Sequence, residues 1–210
     1  MNTLQEVKVP DSKFAREITE LIRETESDLL FNHSNRVYLF AAAAGKRRRL
    51  TFDDELLFAG AMFHDIGLTE KYRSDDLRFE VDGANAAAEF LRSHNFSQQE
   101  IELVWTSIAL HTTTGIPQFM HPNIALVTAG VEMDVIGLGY DDYDKAEREL
   151  ITSLFPRSNN FKEDIIQAFY DGFHHKPGTT FGTMNADVLA DKDPSFQPIN
   201  MCSEIRKSKW

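Results

Sequence analysis

The feature that most constrains the fold is the stretch from Asn123 to Ile136, which is apolar at nearly every position. Its polar exceptions are Thr128, Glu132 and Asp134. A helix that is apolar all round belongs in the centre of a protein, so the other elements have to pack around this one. A carboxylate on such a helix needs a partner or a metal, which makes Asp134 a candidate functional residue.

Helical spacing of apolar residues recurs on both sides of this stretch, for example over Phe14–Ile22, Ile101–Ala109 and Phe161–Phe173. No alternating pattern of useful length indicates a strand. The sequence therefore predicts an all-α helical bundle of about seven helices. Residues 69–82 are polar and aperiodic and are expected to form a loop, with the next helix starting at Asp82-Gly83.

The length of 210 residues favours one domain, 1–210, with a core over about 14–175. The tail, 176–210, is expected to be mostly coil, with a short helical candidate from Asn185 to Leu189. It is predicted either to pack on the body or to act as a lid, with Phe181, Met184 and Phe196 as anchors. Contact with a second subunit, and hence a homo-oligomer, stays open.

A net charge of −11 argues against binding nucleic acid or an anionic membrane surface, since both need clustered cations. No run of about 18 apolar residues is present, so no membrane span is expected. The N-terminal sequence has no apolar signal core. The single Cys202 excludes a Cys-based zinc site and fits a reducing, cytoplasmic environment. The expected partner is a small molecule.

The adjacent pair His64-Asp65 ends an apolar helical run within Phe58–Thr69. Neighbouring positions inside a helix point about 100° apart and rarely meet at one ion. At the last turn the backbone can leave helical geometry at Gly67, and both side chains can then reach one centre. Neutral imidazole and carboxylate ligands suit Zn, Fe, Mn or Ni.

Four predicted ligands come from three helices: His33, His64, Asp65 and Asp134. Any one of these residues alone is better explained as a structural hydrogen-bonding or capping residue. As an ordered set, they match a site for one divalent metal with positions left for water and substrate. Zn and Fe are favoured, with Mn, Co and Ni as alternatives.

This order resembles the HD superfamily of metal-dependent hydrolases, which are all-helical and bind a divalent metal through a His…His-Asp…Asp pattern. The resemblance covers about residues 14–140. Four segments are also similar to the cyanamide-hydratase-like branch, whose namesake hydrates a nitrile to urea at a metal. They are His33-Ser-Asn-Arg-Val-Tyr38, His64-Asp-Ile-Gly-Leu-Thr69, Arg78-Phe-Glu-Val-Asp-Gly-Ala84 and Leu110-His-Thr112.

The chain differs from other members of the HD superfamily at two places. Two-metal members carry further His ligands, and where one His-Gly often opens a helix this chain has Asp82-Gly83. His111 stands where another such ligand can lie. Mononuclear nucleotidases use a Glu shortly after the His-Asp pair, where this chain has Gly67 and Leu68. These differences favour one metal and weaken a nucleotidase assignment.

Residues outside the ligand set are predicted to act on the substrate. Asp82 and Glu80 are candidates for moving the proton, although Asp82 could instead cap a helix and Glu80 could be exposed. His111 could donate a hydrogen bond or orient a ligand. Arg36 could pair with a metal-site carboxylate or with substrate. The other histidines are expected at surface or capping positions: His94, His121, His174 and His175.

Three hypotheses follow. The first is a metal-dependent hydratase or hydrolase of a small polar molecule, adding water to a nitrile as cyanamide hydratase does. The second is an HD phosphohydrolase acting on a nucleotide or phosphomonoester, with cations to hold the phosphate. Those cations are Arg36, Lys71, Arg73 and Arg78. The third is a degenerate HD domain without catalytic activity that serves as an oligomeric binding module.

Overall fold

The computed structural model describes residues 7–209 of the chain. Over these residues the protein is all-helical, as the sequence predicts, with ten α-helices and short 3₁₀ turns. They are α1 Lys13–Thr25, α2 Asp28–Arg47, α3 Asp54–Phe63, α4 Phe79–Ser93, α5 Gln98–Ala109, α6 Pro122–Ile136, α7 Lys145–Leu154, α8 Phe161–Phe173, α9 Asn185–Lys192 and α10 Met201–Lys207. None of the described helices is long and apolar enough to cross a membrane.

The predicted number of helices, about seven, was too low, mainly because of the C-terminal region. Helix α10 lies in a segment predicted to be coil, and α9 extends past the short candidate there. Helix α10 starts at the N-cap Asn200, whose side chain accepts a hydrogen bond from the Ser203 amide. None of its residues is buried, so it has no buried apolar stripe by which periodicity could detect it.

The main core is enclosed by α1 to α6, with α2, α3 and α6 at its centre. Gly130 permits a close approach of α6 to α2, since a Cβ atom there would lie 2.3 Å from the Val37 carbonyl oxygen of α2. Helix α6 therefore lies directly against α2, and this contact brings Asp134 beside His33. The apolar stretch that carries Asp134 is central, as its composition predicts.

A second apolar cluster joins α8 and α9 to the body. Its buried members are Leu30, Leu68, Phe79, Phe161, Ile165, Phe173 and Leu189. It includes residues from α2, from the 3₁₀ turn Ile66–Leu68 and from the start of α4. The C-terminal segment up to α9 consequently packs beside the elements that carry the His-Asp pair.

Helix α4 begins at Phe79, three residues before the predicted start. Asp82 therefore lies in the first turn and does not cap the helix. The first residue of α4 lies close to Gly67, where a Cβ atom would be 2.1 Å from the Phe79 carbonyl oxygen. Gly67 thus matters because α4 packs against its Cα, and not because its backbone is unusual.

Candidate metal centre

Three fully buried side chains converge where α3 ends. His33 comes from the middle of α2, His64 is the C-cap of α3, and Asp65 follows it. The helix ends at Phe63, before the predicted break at Gly67, so Asp65 already lies outside the helix. One ligand atom from each of the three residues lies within 4.8 Å of the others.

Hydrogen bonds on the far side of each ring assign the imidazole tautomers. His64 Nδ1 lies 2.6 Å from the Ala61 carbonyl oxygen, and a carbonyl only accepts, so Nδ1 carries the hydrogen. His33 Nδ1 donates in the same way to Asp134 Oδ2 at 2.7 Å. In the neutral rings, both Nε2 atoms are then bare lone pairs, and they face each other at 3.1 Å.

The Asp65 carboxylate completes an arrangement that requires a cation. Its Oδ2 lies 3.6 Å from His33 Nε2 and 3.3 Å from His64 Nε2. Among residues 7–209, neither of its buried oxygens has a hydrogen-bond partner. Facing lone pairs beside an unpartnered buried carboxylate are costly unless a positive charge lies between them. Two imidazoles and a carboxylate are ligands that a divalent transition metal accepts, so these residues fit such an ion.

The electrostatics of the metal-free group agree with this interpretation. Burial raises the pKa of Asp65, but the positive charge of the neighbouring histidines, His64 foremost, outweighs it and lowers that pKa to about 2. Burial lowers the pKa of His64, but Asp65 beside it outweighs burial, and the net shift is upward. A proton on His64 thus supplies the positive charge that a metal ion would replace.

Asp134 lies behind His33. Its carboxylate accepts two hydrogen bonds of 2.9 Å from the guanidinium of Arg36 and one of 2.7 Å from Arg157. Burial raises the pKa of Asp134, but the hydrogen bond and charge of His33, together with those of Arg36, outweigh it and hold that pKa well below its ordinary value. A carboxylate on the Nδ1 of a ligand histidine fixes the ring's tautomer and orientation.

The structure therefore brings Asp134 to the back of the site and not into the group of three. Its role as a direct ligand stays a prediction. Arg36 is fully buried and pairs with this carboxylate, while its remaining nitrogen donates to the carbonyl oxygens of Phe155 and Pro156, each at 3.1 Å. Arg157, which the sequence did not suggest, is the second cation on Asp134.

His111 lies next to the group. Its Nδ1 is 2.6 Å from the Ile108 carbonyl oxygen, which leaves Nε2 without a hydrogen and 3.7 Å from Asp65 Oδ1. Burial, and then the charge of His64, lower the pKa of His111 to about 4. At neutral pH, His111 therefore offers an acceptor at Nε2. The two roles considered for it, donating a hydrogen bond and orienting a ligand, stay predictions.

Glu80 is buried, and the exposed alternative considered for it is wrong. Its Oε1 accepts hydrogen bonds from Arg78 at 3.0 Å, from Thr112 Oγ1 at 2.5 Å and from Asn185 Nδ2 at 3.0 Å. Burial raises the pKa of Glu80, but the hydrogen bond from Arg78 and the neighbouring charges outweigh it and lower the pKa. Its role in proton transfer stays a prediction.

Asp82 is directed to a different partner. Its Oδ2 lies 2.7 Å from the buried Nζ of Lys176 and 3.0 Å from the Ser74 amide nitrogen. Asp82 does not line the cavity described next, and its pairing joins α4 to the segment after α8. A catalytic role for it stays a prediction.

The remaining histidines lie away from the group. His94 pairs with Glu17 at 2.6 Å, and His121 caps the N-terminus of α6. His174 and His175 are exposed at the end of α8.

A cavity of about 200 Å³ opens from the metal-binding group. Its lining residues are His33, His64, Asp65, Phe79, His111, Thr112, Thr114, Val131, Glu132, Val135, Ile136, Ile166, Phe169, Met184, Asn185 and Val188. No Lys or Arg of the described residues is among them. The contribution of α8 was not predicted, because nothing in its sequence indicates which helix it packs against. The tail was predicted to pack on the body or to act as a lid, and its predicted anchor Met184 lines the cavity.

The sequence of the chain matches a known protein family. The family model described as HD domain matches residues 30–152 of the chain. This is more than half of the chain, and it contains His33, His64, Asp65 and Asp134. No curated protein matches the chain. Helices α8 and α9, which supply part of the cavity wall, lie outside the matched residues.

Proposed function

The chain belongs to the HD domain family, a family of metal-dependent hydrolases, and from that premise we propose that it adds water to a small uncharged molecule at one divalent metal. Within this class we propose a nitrile as substrate, as in the cyanamide-hydratase-like branch that the sequence resembles. The observation that carries the proposal is the Asp65 carboxylate beside two bare Nε2 atoms, at the end of a small cavity. Over residues 7–209, this carboxylate has no hydrogen-bond partner and the cavity lining includes no Lys or Arg.

The cavity supports a small substrate. Its volume of about 200 Å³ is below the roughly 300–1,000 Å³ of pockets that hold drug-sized ligands. Apolar side chains such as Val131, Ile166 and Phe169 form much of its wall. Such walls limit bulk water and favour a compact molecule without charge.

The predicted roles follow from the contacts. His33, His64 and Asp65 would hold the ion, and Asp134 orients His33. A divalent ion bound there would polarise the electrophile and lower the pKa of a water molecule. In nitrile hydration, the water oxygen bonds to carbon while one C–N π bond breaks. We propose that His111 Nε2 accepts the proton that leaves the water and returns it to the nitrile nitrogen. This gives an imidic acid, which becomes the amide when its hydroxyl proton moves to the nitrogen.

Phosphate ester hydrolysis has less support, because three of the four cations suggested for phosphate binding are engaged elsewhere and the fourth, Lys71, is exposed and does not line the cavity. Arg36 is bound to Asp134, Arg78 to Glu80, and Arg73 to the Asp171 carbonyl oxygen at 3.2 Å. Together with the absence of Lys and Arg from the described cavity lining, this argues against an anionic substrate.

A substrate panel tests the proposal. Zinc- and iron-loaded protein is incubated with cyanamide, other small nitriles, nucleotides and phosphomonoesters, and both amide formation and phosphate release are measured. We expect amide from a nitrile, lost in His64→Ala and retained in the exposed-histidine control His174→Ala. Phosphate release without amide formation would overturn the proposal in favour of a phosphohydrolase.

The cellular setting is part of the same proposal. The acidic chain, with its net charge of −11, is proposed to act in the cytoplasm on a small molecule, without nucleic acid or membrane partners. The favoured metals remain Zn and Fe, with Mn, Co and Ni as alternatives.

A further inference from the structure

The proposed chemistry does not use Thr112, Thr114, Glu132 or Asn185, the polar side chains of the cavity wall outside the metal-binding group and His111. Thr112 and Asn185 form a pair among them. They come from distant parts of the chain, the end of α5 and the start of α9, and meet at Glu80. Asn185 is 7 % exposed, so its polar atoms have to be satisfied by protein groups or by what occupies the cavity.

Glu80 determines how both side chains are oriented. With its pKa lowered it is a carboxylate, which only accepts hydrogen bonds. The Thr112 hydroxyl hydrogen is therefore directed to Glu80 at 2.5 Å, and the Asn185 atom at 3.0 Å has to be the amide nitrogen. Arg78 holds the same carboxylate from a third direction at 3.0 Å, which fixes the arrangement.

The groups of these two side chains that stay available to a ligand in the cavity are hydrogen-bond acceptors. Thr112 Oγ1 keeps its lone pairs, and Asn185 Oδ1 is the amide atom that does not face Glu80. Within residues 7–209, no side chain or backbone group donates to either oxygen. The cavity wall around them contains apolar side chains such as Phe169, Met184 and Val188, which cannot donate.

We propose that Thr112 and Asn185 determine specificity by accepting hydrogen bonds from an amino group attached to the electrophilic carbon of the substrate. Two acceptors match the two hydrogens of an –NH₂ group. Substrates with a methyl group in that place would leave the acceptors of the buried Asn185 and the half-buried Thr112 without the hydrogen bonds from the amino group. This inference rests on the proposed function and narrows its substrate class to small amino-substituted electrophiles.

Cyanamide and acetonitrile are a matched pair of probes, since they differ by –NH₂ against –CH₃ on the same nitrile. Their dissociation constants for the zinc-loaded full-length protein are measured by protein-observed NMR titration, independently of turnover. We expect cyanamide to bind about tenfold more tightly, the effect of about 1.4 kcal/mol from one to two hydrogen bonds.

Thr112→Val is expected to reduce this preference by about threefold or more, and Thr112→Ser to restore it, because serine keeps the hydroxyl. Thr113→Val, at the neighbouring threonine that does not line the cavity, is the matched control and is expected to keep the preference. Asn185→Leu provides a second variant should Thr112→Val fold poorly, and is expected to reduce the preference as well.

The inference is overturned if the wild-type protein binds both probes equally, binds neither, or keeps its preference in Thr112→Val and Asn185→Leu. These outcomes are separate from failure of the proposed function. Cyanamide bound with the expected preference but not hydrated would refute nitrile hydration and leave the specificity inference standing. Hydration of both nitriles without a binding preference for cyanamide would support nitrile hydration and refute the specificity inference.

Discussion

Replacing Asp134 by Asn tests how the back of the site is built. The carboxylate neutralises Arg36, which is fully buried, and accepts from His33 Nδ1. Removing one member of a buried ion pair leaves an uncompensated charge and typically costs about 3–5 kcal/mol. We expect the free energy of unfolding to fall by about 3 kcal/mol, near the lower end of this range. The reason is that Arg36 keeps its two backbone carbonyl acceptors and Arg157 is 35 % exposed.

The assay is urea unfolding in the presence of a chelator, so that metal binding does not contribute to the free energy of unfolding. Asp76→Asn, at an exposed aspartate, is the matched control and is expected to change that free energy by no more than about 0.5 kcal/mol. A loss below about 1 kcal/mol in metal-free Asp134→Asn would refute the reasoning from the buried ion pair.

The same variant separates the two roles considered for Asp134. If it acts through His33, zinc affinity should fall about 10- to 100-fold. A much larger loss of zinc affinity, together with little change in metal-free stability, would identify Asp134 as a direct ligand.

Two further predictions concern the His-Asp segment. Gly67→Ala should destabilise the metal-free protein by about 3 kcal/mol or more, since its Cβ would lie 2.1 Å from the Phe79 carbonyl oxygen. In the same unfolding assay Gly178→Ala should be nearly neutral, because nothing lies within 4 Å of a Cβ there, and equal effects would contradict the packing argument. Zinc affinity should fall about tenfold per pH unit below the pKa of His64, which Asp65 raises above its ordinary value, because the metal has to displace that proton. A zinc dissociation constant that does not change between pH 8 and about 5.5 would contradict this assignment of the proton.

Local sequence information was sufficient for most of the helices and for the convergence of His33, His64 and Asp65. The apolar periodicity of each segment reports which face it buries, and this predicted the bundle with α6 at its centre. His64 and Asp65 were placed correctly as neighbours at a helix end. The exact end differed, because α3 stops at Phe63 and the close packing of α4 occupies the space beside Gly67.

Contacts between distant segments could not be predicted in this way. Arg157 reaches Asp134, and Lys176 reaches Asp82 across 94 residues, through the packing of α8 against the body. Periodicity tells which face of α8 is apolar but not which helix will cover it. Asn185 was missed for the same reason, because its role depends on α9 meeting Glu80 at the cavity.

Metal content is the most direct test of the central claim. The purified protein, after refilling with zinc or iron and removal of excess metal, is analysed by elemental mass spectrometry beside His64→Ala and His174→Ala. We expect close to one divalent ion per chain in the wild type and in His174→Ala, and almost none in His64→Ala. Protein that stays metal-free after refilling, or that holds two ions per chain, would contradict it.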